Sequence, residues 1–268
     1  MSDYKFLVAT DMDYTLLLPG CPVSDANKAA IAALRDAGGA VTLATGRSFY
    51  ITGSYARNLG ITIPLITSNG AAISDPVGFC DISSVDFPSS VLDVLIPMFI
   101  SEGVNATGYS SDGLYFFPCS SRRAFIDDYN AGVPDEIKCR VLSSYDVSFN
   151  KFLLIDPPES VVSVIRSMPE LQVVSSAKNF YDVMMAGPTK GTALLSIASS
   201  LGVLPSHTFA LGDSENDYYL LESAAHAVAM AGSDPSVLKI ADYVTTDCAS
   251  DGFAKAVNEF ILPLAASL

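Results

Sequence analysis

The sequence is poor in the residues that build the commonest metal and redox centres. Only two histidines occur in 268 residues, His207 and His226, too few for a multi-histidine metal site. For each, an ordinary packed or surface role is the simpler reading. The five cysteines (Cys21, Cys80, Cys119, Cys139 and Cys248) are scattered, odd in number and form no C-x-x-C pair. That pattern argues against a thiolate zinc site and against a disulfide framework. Positive charge is scarce as well: 15 Lys and Arg stand against 29 Asp and Glu, a net charge of −14. Such a balance repels nucleic acid and anionic lipid, and it demands local cations of any site that handles phosphate. No apolar run reaches the length of a membrane span, since residues 91–100 are short and carry Asp93 and Pro97. Asp3 and Lys5 open the chain with no extended apolar region before a cleavage site. The expectation is a cytoplasmic protein with no nucleic-acid or membrane partner.

What is present is a large apolar fraction, 50% of residues, ample for one large domain or two modest ones. Residues 5–10 are a short apolar run with the pattern of a fully buried parallel strand, and Asp11-Met12-Asp13-Tyr14-Thr15 follows at once. Ser24 is a plausible N-cap for a helix through residue 37, stopped at Gly38-Gly39. Residues 40–45 read as a second buried strand running into Gly46-Arg47-Ser48. A helix over 49–59 and a third strand over 64–67 come next, and Ser68-Asn69-Gly70 then forms a turn. Strand and helix alternating with short connections predict right-handed βαβ units and a parallel sheet.

The pattern changes near residue 85. A helix over 89–102, disturbed at Pro97, precedes an alternating pair around Asp112-Gly113. A polar helix over 121–129, strands over 151–155, 171–175 and 181–185, and a helix between the first two of these follow. Hairpins mixed with helices predict an α+β unit inserted into the first fold. Its expected linkers lie near residues 80–86 and 178–183. The helix–strand alternation then resumes with a helix over 191–201, a buried strand over 207–211 and the polar loop Gly212–Asp217.

Four segments carry the chemistry: Asp11-x-Asp13-x-Thr15, Thr45-Gly46-Arg47, Lys190 before Gly191, and Gly212-Asp213-Ser214-Glu215-Asn216-Asp217. Taken singly, each has a plainer reading as a turn, a helix cap or a solvated surface residue. Taken together they lie at strand ends or helix starts, and in a parallel sheet those ends converge on one edge. They supply carboxylates for a hard cation, a hydroxyl and a turn for phosphate, and an ammonium to neutralise charge. That is what phosphoryl transfer requires.

The set resembles the haloacid dehalogenase (HAD) superfamily of phosphohydrolases, and within it the Cof-type, or IIB, branch. Ala44-Thr45-Gly46-Arg47, Ser68-Asn69-Gly70-Ala71, Val228-Ala229-Met230, Ala241–Thr245 and Asp251-Gly252 also fit. The resemblance implies an α/β, Rossmann-like core with a parallel sheet, formed by residues 1–82 and 183–268, and an inserted α+β cap over 83–182. It also implies a Mg2+-dependent phosphatase acting through an aspartyl-phosphate on a small phosphorylated metabolite, with sugar phosphates the leading class. By the same resemblance Asp11 is the nucleophile and Asp13 the acid/base, with Thr15 orienting Asp13. Asp11, the Asp13 carbonyl and Asp213 hold the metal, with Asp217 in support. Thr45, Gly46, Lys190 and Asn216 bind phosphate, and Arg47 and Asn69 are candidate substrate contacts. Tyr115, Arg122, Arg123 and Tyr145 are cap residues that could face the substrate. Two departures stand out: Tyr14 replaces the usual Gly, and Ala231-Gly232-Ser233 replaces Gly-Asn-Ala. A phosphomutase and a non-catalytic phosphometabolite-binding protein are the alternatives, and the sequence leaves the oligomeric state open.

Overall fold

A computed structural model describes residues 4–117, 140–142, 147–177 and 179–268. The apolar strand β1 (Phe6–Thr10) is buried at every position. Its neighbours are β2 (Gly39–Leu43) and β12 (Thr208–Gly212), with β13 (His226–Ala229) and β14 (Tyr243–Val244) beyond. They form a five-stranded sheet ordered β14-β13-β12-β1-β2, and every pair in it is parallel. Strands buried on both faces need apolar residues at consecutive positions, which is the pattern of β1, β2 and β12. The helix Asp25–Asp36 starts where the Ser24 hydroxyl accepts from the Asn27 N–H, and it buries Ala30, Ile31 and Leu34 against the sheet.

The third expected parallel strand departs from that arrangement. Strand β3 (Leu65–Thr67) meets the main sheet through a single parallel bridge, Ala44 with Ile66. Its main partner is the antiparallel strand β4 (Ala72–Asp75), and β5 (Cys80–Ser84) completes a separate three-stranded sheet. The cause is the turn at Ser68, Asn69 and Gly70, all with positive φ, which reverses the chain after three residues of strand.

The α+β unit contributes β6 (Asn105–Ser110), β7 (Gly113–Phe116), β8 (Arg140–Val141), β9 (Lys151–Ile155), β10 (Leu171–Ala177) and β11 (Phe180–Met185). These make a six-stranded sheet ordered β10-β11-β9-β6-β7-β8. The helices Ser89–Ser101 and Glu159–Arg166 bury their apolar faces in the same cluster as the sheet, and Pro97 does not end the first of them. This unit has its own apolar core, with Phe87 stacked on Phe152 at 4.9 Å and Phe149 against Phe152 at 5.2 Å. The expected border after residue 182 falls inside β11, which continues in this sheet to Met185. The expected border before residue 83 falls inside β5. The helix expected over 121–129 lies outside the described residues. Among the described residues no helix is long and apolar enough to cross a membrane.

Candidate active site

Parallel pairing brings the chemistry together. Thr10 registers with Leu211, and the Asp11 N–H donates to the Leu211 carbonyl at 2.9 Å. Asp11 and Asp213 therefore leave neighbouring strands at one edge of the sheet. Lys190 opens the helix Lys190–Ser200 from the same edge. Its side chain is fully buried, and its Nζ donates to Asp11 Oδ1 at 2.7 Å and Asp217 Oδ1 at 2.6 Å. The other oxygen of Asp217 accepts from the backbone N–H groups of Asp213 and Ser214 at 3.1 and 3.2 Å. Asp217 thus fixes the loop that presents Asp213. Gly70 makes this assembly possible, because a Cβ there would lie 2.2 Å from the Thr189 carbonyl oxygen and 2.7 Å from the Lys190 nitrogen.

Two of the expected site residues have partners that the sequence does not reveal. The resemblance has Thr15 orienting Asp13, but its hydroxyl donates to Asp213 Oδ1 at 2.8 Å. Arg47 is a candidate substrate contact by sequence. Its guanidinium instead clamps Asp13, with Nε to Oδ2 at 2.8 Å and Nη2 to Oδ1 at 2.5 Å, and lies 5.3 Å from the centre of the Tyr55 ring. A bidentate carboxylate pair of this kind is the strong form of the interaction. Tyr14 occupies the left-handed region, φ 61°, with its ring exposed at the cleft mouth. That conformation is one glycine adopts freely and a tyrosine only at a cost.

The side expected to bind phosphate is built from the turns after β2 and β3. The Arg47 N–H donates to Thr45 Oγ1 at 3.1 Å, and the Asn69 N–H donates to the Thr45 carbonyl at 3.0 Å. Asn69 Oδ1 accepts from Asn216 Nδ2 at 3.3 Å, and Asn216 Oδ1 accepts from the Ser214 hydroxyl at 2.7 Å. Asn69 is therefore a bridge within the site. Its left-handed backbone, φ 57°, suits an asparagine.

The opposite wall comes from the six-stranded sheet. A cleft of about 410 Å³ separates Asp11, Asp13, Thr45, Arg47 and Asn216 from Tyr109, Lys151, Leu153, Phe180 and Asp182. Lys151 and Asp182 form a buried ion pair at 2.7 Å. Sequence reasoning does not find either. The available signal is a Lys opening the apolar strand β9 and an Asp inside the apolar strand β11, opposite charges where neither should be left alone. Tyr115 is not on this wall: its hydroxyl donates to Asp112 at 2.7 Å and accepts from Arg140. Arg122, Arg123 and Tyr145 lie outside the described residues. In the Ala231-Gly232-Ser233 segment, the Ser233 hydroxyl turns back onto the Met230 carbonyl.

Burial and the neighbouring Asp217 push the Asp213 carboxyl up to about 7. The same two causes hold Asp11 well above the usual carboxylate range, with Lys190 opposing them. Burial disfavours the Lys190 ammonium, but Asp11 and Asp217 more than compensate and raise it above an ordinary lysine. Carboxylate oxygens of Asp11, Asp213 and Asp217 lie within 4.8 Å of one another. Crowded carboxylate oxygens, with no imidazole or thiolate among them, fit a hard divalent cation.

A family model for haloacid dehalogenase-like hydrolases matches residues 8–257. The chain is 27% identical to a 5-amino-6-(5-phospho-D-ribitylamino)uracil phosphatase of Bacillus subtilis, YcsE, over 96% of each chain. Among solved structures, a HAD-superfamily protein from Bacteroides thetaiotaomicron aligns with a TM-score of 0.81 at 23% identity, covering 97% of this chain and 96% of that one. A sugar phosphatase of HAD subclass IIB aligns with a TM-score of 0.80 at 24% identity, covering 96% of this chain and 99% of that one.

Proposed function

The chain belongs to the haloacid dehalogenase-like hydrolases, and from that membership we propose a Mg2+-dependent cytoplasmic phosphatase that hydrolyses a small phosphorylated sugar or sugar alcohol. The observation that carries the reading is Asp11, held by the buried Lys190 ammonium at the edge of the parallel sheet beside Asp213. One oxygen of Asp11 is engaged by Lys190, which leaves the other for attack on phosphorus. In the first step an Asp11 oxygen–phosphorus bond forms as the bond to the leaving alkoxide breaks, and Asp13 gives that alkoxide its proton. In the second, Asp13 takes a proton from water as the water attacks phosphorus, and the Asp11 carboxylate is released with inorganic phosphate. Arg47 occupies both oxygens of Asp13, so proton transfer requires the guanidinium to turn off Asp13 toward the incoming dianion.

Asp11 and Asp213 would hold Mg2+, with Asp13 joining through its carbonyl and Asp217 bracing the Asp213 loop. The ion would offset carboxylate repulsion and neutralise charge on the phosphoryl oxygens. Thr45, Gly46, Asn216 and Lys190 bind those oxygens in this reading. The leaving group faces Tyr109, Leu153 and Phe180, whose apolar surfaces suit the carbon face of a sugar. The names carried by the ribitylaminouracil phosphatase and the sugar phosphatase support the same class. The free Cys21, Cys80 and Cys248 agree with a reducing compartment.

The test is release of inorganic phosphate from a panel of phosphorylated metabolites and a small aryl phosphate. Activity should require Mg2+, vanish with EDTA, and recover poorly with Ca2+ because its coordination is looser. Asp11→Asn should remain folded and lose essentially all turnover. Substantial phosphatase activity in purified Asp11→Asn, or full activity after exhaustive chelation, would sink the mechanism.

A further inference from the structure

Lys151 and Asp182 stand on strands of the six-stranded sheet, yet their polar atoms are committed to the phosphate side of the cleft. Both side chains are 2% exposed, so the pair is not a solvent salt bridge. The Lys151 ammonium sits 4.2 Å from the centre of the Tyr109 ring and donates across the cleft to the Gly46 carbonyl at 2.5 Å. Asp182 Oδ2 accepts from Asn69 Nδ2 at 2.8 Å. These two bonds join the two sheets where the phosphoryl group would bind.

Each bond controls a group that the phosphate needs. In a trans peptide the C=O and the following N–H point in opposite directions. Holding the Gly46 oxygen toward Lys151 therefore turns the Arg47 N–H the other way, onto Thr45 Oγ1. With that oxygen accepting from Arg47, the Thr45 hydroxyl hydrogen is directed outward to donate. A Cβ at Gly46 would lie 2.9 Å from Asn69 Oδ1, so a side chain there would push the Asn69 amide out of place. On the second path, Asp182 takes one Asn69 amide hydrogen and so turns Asn69 Oδ1 toward Asn216 Nδ2. With Ser214 on its oxygen, Asn216 is left one free amide hydrogen for an anion.

We propose that Lys151 and Asp182 are positioning residues for the phosphoryl group, setting the Gly46–Arg47 peptide and the Asn69–Asn216 amide pair in their phosphate-binding orientation. The inference rests on the phosphatase reading and adds to it: apposition of the six-stranded sheet completes the phosphate site itself, independently of any contact with the leaving group. Loss of the pair should weaken every phosphorylated ligand by the same factor.

The test uses the full chain with Mg2+ and three measurements: calorimetric binding of inorganic phosphate, and kcat and KM for a small aryl phosphate and for the best sugar phosphate. Lys151→Met alone strands a buried carboxylate and should lower stability. The double variant Lys151→Met/Asp182→Asn removes both charges, keeps an acceptor for Asn69 and should fold normally by thermal melting. It should weaken inorganic phosphate and raise both KM values by one common factor of about tenfold, the loss of a charge-assisted hydrogen bond, with kcat changed far less. A purely structural role would leave phosphate affinity untouched in the folded double variant, and that result overturns the inference. An increase in KM confined to the sugar phosphate also overturns it, because Lys151 would then touch the leaving group. If the unsubstituted protein binds phosphate but hydrolyses no ester, the phosphatase reading fails while the binding comparison still decides this one. If it binds no phosphate, both fail.

Discussion

Asp213 carries a pH signature that a single substitution can test. Its carboxyl is pushed up to about 7 by burial and by Asp217, against about 3.9 for an unfolded aspartate. Between those values the folded protein holds a proton that the unfolded chain has lost. The contribution of this group to stability therefore falls as pH rises from about 4 to about 7 and is flat above. A divalent cation must displace that proton, so its affinity should fall about tenfold for each pH unit below 7. Melting with and without Mg2+ should show a larger metal-induced rise in Tm at pH 8 than at pH 6, and Asp213→Asn should abolish the difference. Equal rises at the two pH values would mean that Asp213 is not a ligand. Asp213, Asp11 and Lys190 are legible in the sequence because each follows a buried strand or opens a helix. Thr15 and Arg47 are legible as members of the site but not in their partners, because side-chain direction is decided by packing across the sheet. Lys151 and Asp182 are illegible as a pair, since nothing local says that two strand residues 31 positions apart stand face to face.

Among the elements, the turn Ser68–Gly70 does more than end a strand. It reverses the chain into β4, places Asn69 between Thr45 and Asn216, and lets Gly70 rest on the start of the Lys190 helix. Gly70→Ala would force a Cβ to 2.2 Å from the Thr189 carbonyl oxygen at φ 93°. The left-handed backbone and the clash together should cost roughly 2–4 kcal/mol. The helix start must move to relieve the clash, and Lys190 moves with it, so KM should rise for all substrates. Urea unfolding midpoints and KM values check both expectations; an unchanged midpoint would mean that the clash relaxes freely. The buried strands β1, β2 and β12 are readable because parallel strands covered on both faces show continuous apolar runs. Strand β5 reads as linker because its residues are exposed or only partly buried, which removes the alternation that marks a strand. Strand β11 runs past the expected border at residue 182 for a similar reason: Val183-Met184-Met185 continues its apolar run, and no Gly or Pro follows until Gly187-Pro188.

At the scale of the whole molecule, two sheets with separate apolar cores line one cleft, and the proposed function divides recognition between them. In that proposal the parallel-sheet edge supplies the groups that meet the phosphoryl oxygens. The facing sheet supplies the Lys151–Asp182 pair, which acts back on those groups, and the apolar side chains Leu153 and Phe180, which do not touch them. Substitutions on the facing sheet should therefore fall into two kinetic classes. Phe180→Ala and Leu153→Ala remove apolar surface from the leaving-group side of the cleft. Each should lower kcat/KM for the preferred sugar phosphate by about tenfold, the scale set by burying part of one apolar side chain. For a small aryl phosphate, which reaches less of that wall, the decrease should be much smaller. Lys190→Ala should depress both substrates alike, because every substrate presents the same phosphoryl group to it. The deciding measurement is the ratio of the two kcat/KM values across these variants. A ratio that stays constant for Phe180→Ala and Leu153→Ala would move discrimination off the facing sheet and onto the cleft mouth, where the exposed Tyr14 ring stands beside the Arg47–Asp13 pair.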